Sequence, residues 1–162
     1  MTETATQSTP KKLSTAIILT GLLAGTCDIT AACTQFYIKT GKSPILVGQY
    51  IASAVFGKET AYSGDVSMIV IGFLFHYMVA FGWTILFFFA YPRMSFLRGN
   101  KIVVGIAYGA FVWVMMSQVV VPITLIGRGP FNFSNAAQAM AILMACIGIP
   151  ISLMANRYYS SK

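Results

Sequence analysis

The stretch VSMIVIGFLFHYMVAFGWTILFFFAY, residues 66 to 91, decides the fold of this chain. It runs for 26 residues without a single Asp, Glu, Lys or Arg. A helix needs roughly 20 apolar residues to cross the hydrocarbon core of a bilayer. Because lipid offers backbone groups no hydrogen-bond partners, an α-helix is the expected form of such a segment. The stretch therefore predicts a membrane-spanning helix.

The composition of the rest of the chain agrees with a lipid environment. Of the 162 residues, 57% are hydrophobic and 9% are charged, and the mean hydropathy is +0.74. A soluble domain carries about 25% charged residues. The four predicted spans are residues 13–37, 66–91, 102–126 and 135–157. We therefore predict one all-α domain over residues 13–162, an integral membrane four-helix bundle that follows a disordered cytoplasmic tail at residues 1–12.

The first loop contains an apolar segment, residues 44–56, that is only 13 residues long. This length is typical of an interfacial or re-entrant helix and is too short for a span. Pro44 is well placed to start the helix and Gly57 to end it. At the start of the fourth span, Ser134 or Asn135 is expected to cap the helix.

The basic residues flank the predicted spans and give a net charge of +7. A cytoplasmic N-terminus places seven of them inside, namely Lys11, Lys12, Arg93, Arg98, Lys101, Arg157 and Lys162. The four placed outside are Lys39, Lys42, Lys58 and Arg128. This asymmetry favours cytoplasmic termini. The charge is explained by the membrane, so nucleic acid is not an expected partner, whereas the lipid bilayer is.

Small residues at helical spacing predict the faces on which the spans pack. The first span carries Gly21 and Gly25 in a GxxxG pattern, and the third carries Gly105 and Gly109 in another. The other predicted packing residues are Gly72 in the second span and Ala141, Ala145 and Gly148 in the fourth. Such faces indicate close contact within the bundle, with other membrane subunits, or with a second copy of the chain.

Asp28 lies on the face of Gly21 and Gly25, with no Lys or Arg within ten residues. Ionisable residues inside a span are functional candidates. His76, the only histidine, is expected at a similar depth slightly outward of the midplane, so the two side chains can meet. Such a pair can share a proton, or it can form an interhelical hydrogen bond that only stabilises packing, by roughly 1 kcal/mol.

Three glutamines complete the candidate intramembrane polar site: Gln35, Gln118 and Gln138. All three are expected in the outward half of the bundle, although Gln118 points away from the glycine face of its helix. The inward half has almost no polar side chains in the sequence. A site here is therefore expected to close toward the cytoplasm.

Recognisable catalytic or cofactor chemistry is missing from the sequence. One histidine cannot form a bis-histidine haem site, and no hydrolase or metal-binding motif is present. Cys27, Cys33 and Cys146 all fall in spans without metal-ligand spacing and are interpreted as small packing residues. We expect no catalytic residues, no metal and no cofactor, and a protein that is not an enzyme.

Several landmarks resemble a group of small four-span bacterial inner-membrane proteins. They are Gly25 with Asp28, Lys39-x-Gly41-Lys42-x-Pro44, Gly57-Lys58, His76, Tyr91-Pro92, Tyr108-Gly109 and Pro122. The chain is also distantly similar to the YagU-like inner-membrane proteins. The resemblance covers nearly the whole chain after Lys12. It implies a four-helix topology in the bacterial cytoplasmic membrane, and it brings no activity and no functional residues.

Two hypotheses for function follow from these patterns. Small size and the GxxxG faces favour an accessory or structural subunit of a membrane complex. The matched depth of Asp28 and His76 favours a small transporter or proton-linked permeation protein. The accessory subunit is the preferred hypothesis and the transporter the alternative; an enzyme that acts on a lipid or quinone through the same pair is a third.

Overall fold

The computed structural model describes residues 12–63, 65–127, 129 and 131–160. Most of the predicted tail, residues 1–11, lies outside the described residues. Five helices and no strand are found in the described part of the chain. They are α1 (Leu13–Thr40), α2 (Leu46–Ala61), α3 (Val66–Ala90), α4 (Lys101–Ile123) and α5 (Phe133–Tyr159). All but α2 are long and apolar enough to cross a membrane. The protein is an all-α, multi-pass four-helix bundle.

Local side-chain and backbone features set the ends of the helices. Gly41 ends α1 with a φ of +66°, a conformation that glycine adopts without steric cost. Asp65 and Asn100 cap α3 and α4 by accepting backbone N–H groups of the first turn. Asn132 caps α5 in the same way, so the prediction of Ser134 or Asn135 as the cap is wrong.

One π-helical turn interrupts each of the last two spans. In α4 it covers Met116–Val120, and in α5 it covers Met144–Gly148. Pro122 and Pro150 follow these turns by two residues. Proline lacks a backbone N–H and its ring clashes with the carbonyl four residues earlier, and a wider turn before it relieves that clash. The extra residue in each turn also shifts the register of the face that precedes it.

Helix α2 packs against the first half of α3. A Cβ at Gly72 would collide with the backbone of Gly48, so the two helices cross in near contact there. The Phe56 and Phe75 rings stack at a centroid distance of 6.2 Å. Gly57 breaks the helix with a φ of +78°, as expected from its predicted role as a stop, and one further turn follows it. The part of the predicted segment 44–56 from Leu46 onward is thus helical and packs on a span.

We call the end of the bundle where α1 begins and α5 ends the terminal end, and the opposite end the far end. The main apolar cluster lies toward the terminal end, where aromatic side chains from α3 meet α4 and α5. Its largest fully buried members are Phe87, Phe88, Ile151 and Val112. A short 3₁₀ turn, Ser95–Arg98, connects α3 to α4 at this end and buries Leu97. The cluster fills the bundle on the terminal side of the Asp28–His76 level.

Candidate functional site

Asp28 on α1 and His76 on α3 face each other near the middle of their helices. Their nearest atoms, Asp28 Oδ2 and His76 Nδ1, are 4.0 Å apart. At 1.5 Å per residue, each residue lies about 2–3 Å from the midpoint of its helix, on the far side. The relative solvent exposure of the side chain is 17% for Asp28 and 12% for His76. The structure therefore brings together the two ionisable residues that the sequence singled out.

Close packing of α1 against α3 positions the pair. A Cβ at Gly25 would lie 3.0 Å from the Tyr77 ring and 3.2 Å from Ala80 Cβ, so the glycine lets the helices approach. A Cβ at Gly21 would overlap the Phe81 ring in the same way. These two residues are the GxxxG pattern that the sequence placed on the face of Asp28.

The ring of His76 is anchored through its other nitrogen. His76 Nε2 lies 2.9 Å from the backbone carbonyl oxygen of Gly25. A carbonyl oxygen only accepts hydrogen bonds, so Nε2 carries the hydrogen. In a neutral imidazole, Nδ1 is then an acceptor, and it is the atom that faces Asp28. Tyr77 supports this arrangement, because its ring meets His76 edge-on and its hydroxyl bonds Thr26 at 2.9 Å.

A central crevice of about 250 Å³ lies beside the pair. Its polar residues are Asp28, His76 and Gln35, and its apolar walls come from α3, α4 and α5. The apolar lining includes Val79, Trp83, Val112, Met116, Ile142 and Ile147. One water occupies about 30 Å³ of liquid volume, so the crevice has room for several waters beside the carboxylate. The 4.0 Å gap exceeds direct hydrogen-bond reach and is wide enough for water-mediated contact.

Polar pairs join α1 to α5 at the far end of the site. Gln35 Nε2 donates to Gln138 Oε1 at 3.0 Å, and Lys39 Nζ donates to Asn135 Oδ1 at 2.7 Å. Gln35 therefore links the crevice to an open groove of about 900 Å³ between α1 and α5. Gln118 does not join the site, because it is exposed and bonds Ser117.

The other predicted packing residues fall into two groups. Gly105, Gly109 and Gly148 lie at a crossing of α4 and α5 where a Cβ would meet backbone atoms of the other helix. Ala141 and Ala145, predicted on the face of Gly148, are exposed instead. The π-helical turn explains the difference: one extra residue rotates the preceding part of α5 by about 100° relative to the part that follows.

Two features of the site went unnoticed in the sequence. Cys27 and Cys146, which are 119 residues apart in the sequence, line the same α1–α5 groove. Three fully buried hydroxyl residues, Thr20, Thr84 and Ser152, lie in the terminal half, which the sequence suggested was almost free of polar side chains.

The prolines that follow the two π-helical turns were the only local signal of irregular helix geometry.

The site offers proton and water chemistry and no metal site of the usual kind. Among the described residues, no three His, Cys, Asp or Glu side chains are grouped to hold a metal ion. No protein-family model matches the chain, and no curated protein or solved structure is significantly similar to it.

Proposed function

We propose that this protein is a small membrane transport or permeation protein that works through a proton shared by Asp28 and His76. The observation that carries the proposal is the 4.0 Å separation of the two groups beside a crevice of about 250 Å³. Direct hydrogen-bond contact in a dry core would favour a purely structural role for the pair. A gap beside a cavity with room for water suits exchange of a proton or a small polar solute.

The orientation of the His76 ring supports a shared proton. Because Nε2–H is committed to the Gly25 carbonyl, a neutral ring points the Nδ1 lone pair at Asp28. An ionised carboxylate facing that lone pair is electrostatically unfavourable. One proton, bound either to Asp28 or to His76 Nδ1, removes this repulsion between the carboxylate and the lone pair. The pair then acts as a single proton-binding unit at mid-depth in the bundle.

The packing around the crevice supports one-sided access in this conformation. The apolar cluster with Phe87 and Val112 fills the bundle toward the terminal end. Met116 and Ile147 line the crevice, and each belongs to one of the π-helical turns. Such turns weaken the regular backbone ladder and often mark functional bends. Bending at these two turns is the motion that would open the terminal side.

Proton flux into proteoliposomes tests the proposal without knowledge of a solute. Vesicles contain a pH-sensitive dye, and a potassium gradient with valinomycin drives proton entry. We expect the wild-type protein to conduct above protein-free vesicles, and Asp28→Asn and His76→Gln each to return the flux to that background. Gln118→Ala is the control, because Gln118 is exposed and lies outside the crevice.

Because one proton is shared, the double variant should lose no more flux than either single variant. A wild-type flux equal to that of Asp28→Asn would refute the proposal. If each single variant lost only part of the proton flux and the two losses added up in the double variant, the idea that the two residues act as one unit would be refuted.

An accessory or structural subunit is the second candidate, and the surface of α5 supports it. Gln138, Ala141 and Ala145 are exposed on this helix, although polar and small residues in spans usually face protein. Gln138 lines the α1–α5 groove, which is suited to a helix of another subunit or of a second copy. Extraction in mild detergent and native mass measurement test this idea. A stable single chain with no partner would contradict it.

We further propose that the protein resides in the bacterial cytoplasmic membrane with both termini in the cytoplasm. The described basic residues at the terminal end are Lys12, Arg93, Arg98, Lys101 and Arg157. At the far end, Lys39, Lys42 and Lys58 are partly balanced by Glu59 and Asp65. The excess at the terminal end supports this orientation. A C-terminal alkaline phosphatase fusion should be inactive, and a fusion in the loop after α2 should be active.

A further inference from the structure

The connection between α3 and α4 places three basic residues within nine positions: Arg93, Arg98 and Lys101. With Lys12 and Arg157 at the same end, five described cations lie there. No Asp or Glu of the described chain accompanies them, because Asp28 lies at mid-depth and Glu59 and Asp65 lie at the far end. This surface is complementary to an anion.

A polar recess of about 310 Å³ opens beside this connection. It is lined by Tyr91, Pro92, Arg98, Asn156, Tyr159 and Ser160. Arg98 Nη2 donates to the Pro92 carbonyl oxygen at 2.6 Å, which fixes the guanidinium at the wall of the recess. A guanidinium has five N–H donors in a planar fork, so this bond leaves donors for a phosphate. Asn156 is also held in place, by its bond to the Tyr91 hydroxyl at 2.7 Å.

An apolar groove of about 620 Å³ lies beside the recess, between α3 and α4. Leu97, adjacent to Arg98 in the chain, lines this groove, and so do Met94 and Phe96. Phe96 keeps 69% of its exposure and Val103 keeps 62%, so the groove is open on the surface of the bundle. The connection therefore has a cationic polar recess and an apolar groove next to each other.

We propose that the α3–α4 connection binds one anionic phospholipid, with its phosphate in the Arg98 recess and an acyl chain along the groove. A phosphodiester suits the planar donors of a guanidinium, and the surplus of cations favours a lipid with net negative charge over a zwitterionic one. Diffuse attraction to acidic lipids needs only the net charge. A built site needs Arg98 in particular, and this difference can be tested.

Nanodiscs that contain equal amounts of phosphatidylglycerol and phosphatidylcholine with identical acyl chains provide the test. Lipid retained by the protein after transfer to detergent is identified by native mass spectrometry. We expect one phosphatidylglycerol to be retained by the wild-type protein. Arg98→Gln should lower the preference for phosphatidylglycerol roughly tenfold, the effect of losing a charge-assisted hydrogen bond. Arg157→Gln, the same change at the same end but outside the recess, should lower it less than twofold.

A second variant tests the groove with all charges kept. Ala107→Phe fills the groove, and we expect it to release the lipid while the helix content measured by circular dichroism is unchanged. Equal effects of Arg98→Gln and Arg157→Gln would overturn the proposal in favour of diffuse charge. Retention of both lipids in equal amounts by the wild-type protein would also overturn it. Displacement of the lipid by inorganic phosphate would identify a free anion as the ligand and overturn the lipid assignment.

Discussion

Replacement of Gly105 by alanine tests the close backbone contact between α4 and α5. A Cβ at Gly105 would lie 2.7 Å from Ile149 Cα and 3.0 Å from both Gly148 O and Ile149 N. All three are backbone atoms, so no side-chain rotation can relieve the contact. Ordinary contacts of this kind lie at 3.4–4 Å. Helices α4 and α5 must therefore separate by about 1 Å, which forfeits a quarter to a half of the dispersion energy along the seam.

The size of the effect follows from two opposing contributions. Insertion of a methyl group into a well-packed contact costs about 1–3 kcal/mol. Alanine regains up to about 1 kcal/mol over glycine inside a helix. We expect a net loss of about 1–2 kcal/mol in the free energy of unfolding. Equilibrium unfolding in mixed micelles of mild detergent and dodecyl sulfate, followed by circular dichroism, measures this quantity.

Gly82→Ala is the matched control for this prediction. Gly82 is exposed in α3, and beyond its own helical turn no described atom lies within 4 Å of a Cβ there. Its replacement should leave the stability unchanged or raise it by up to about 1 kcal/mol. If Gly105→Ala were as stable as Gly82→Ala, the close approach of α4 and α5 would not stabilise the bundle, and the reasoning would fail.

Three further predictions concern single polar groups. Ser152 Oγ is buried without a hydrogen-bond partner in the described part of the chain, so Ser152→Ala should leave the unfolding free energy unchanged or raise it by up to about 1 kcal/mol. A clear loss in the same unfolding assay would reveal a missing partner. A double-mutant cycle that replaces Gln35 and Gln138 by leucine should give a coupling of about 0.6 kcal/mol, and additive losses would argue against their 3.0 Å bond. The backbone N–H of Ser67, with a smaller contribution from its hydroxyl, holds the pKa of Asp65 below its usual 3.8. The stability that the Asp65 cap contributes is therefore present above pH 3.8 and is lost as the pH falls through the lowered pKa. The difference in unfolding free energy between wild type and Asp65→Ala should then vanish in acid. A difference that does not change with pH would contradict this prediction.

The spans were predictable because membrane insertion depends mainly on the length and apolarity of each segment. The ends of the helices were less predictable: α1 continues to Thr40, and Asn132 rather than Ser134 or Asn135 caps α5. A cap depends on the backbone conformation that a loop adopts, and several polar residues near a helix start compete for that role.

The candidate site was predictable in part. The spacing of Gly21, Gly25 and Asp28 follows one face of a regular helix, and α1 is regular over that stretch. The same reasoning misplaced Ala141 and Ala145, because α5 contains a π-helical turn that a 3.6-residue period does not include. Pro150 hinted at an irregularity but did not specify its form, since a kink or a break would also have relieved the clash.

The sequence by itself determined that the chain has four segments able to cross a membrane, because apolar length is a local property that each segment carries independently. It also determined which few side chains would be costly in lipid, and so drew attention to Asp28 and His76. Only the tertiary structure decided that Asp28 and His76 lie 4.0 Å apart beside a crevice, that Gln118 lies outside it, and that Cys27 and Cys146 line one groove. Those outcomes depend on the rotation and register of one helix against another, which the close contacts at Gly25, Gly105 and Gly148 set.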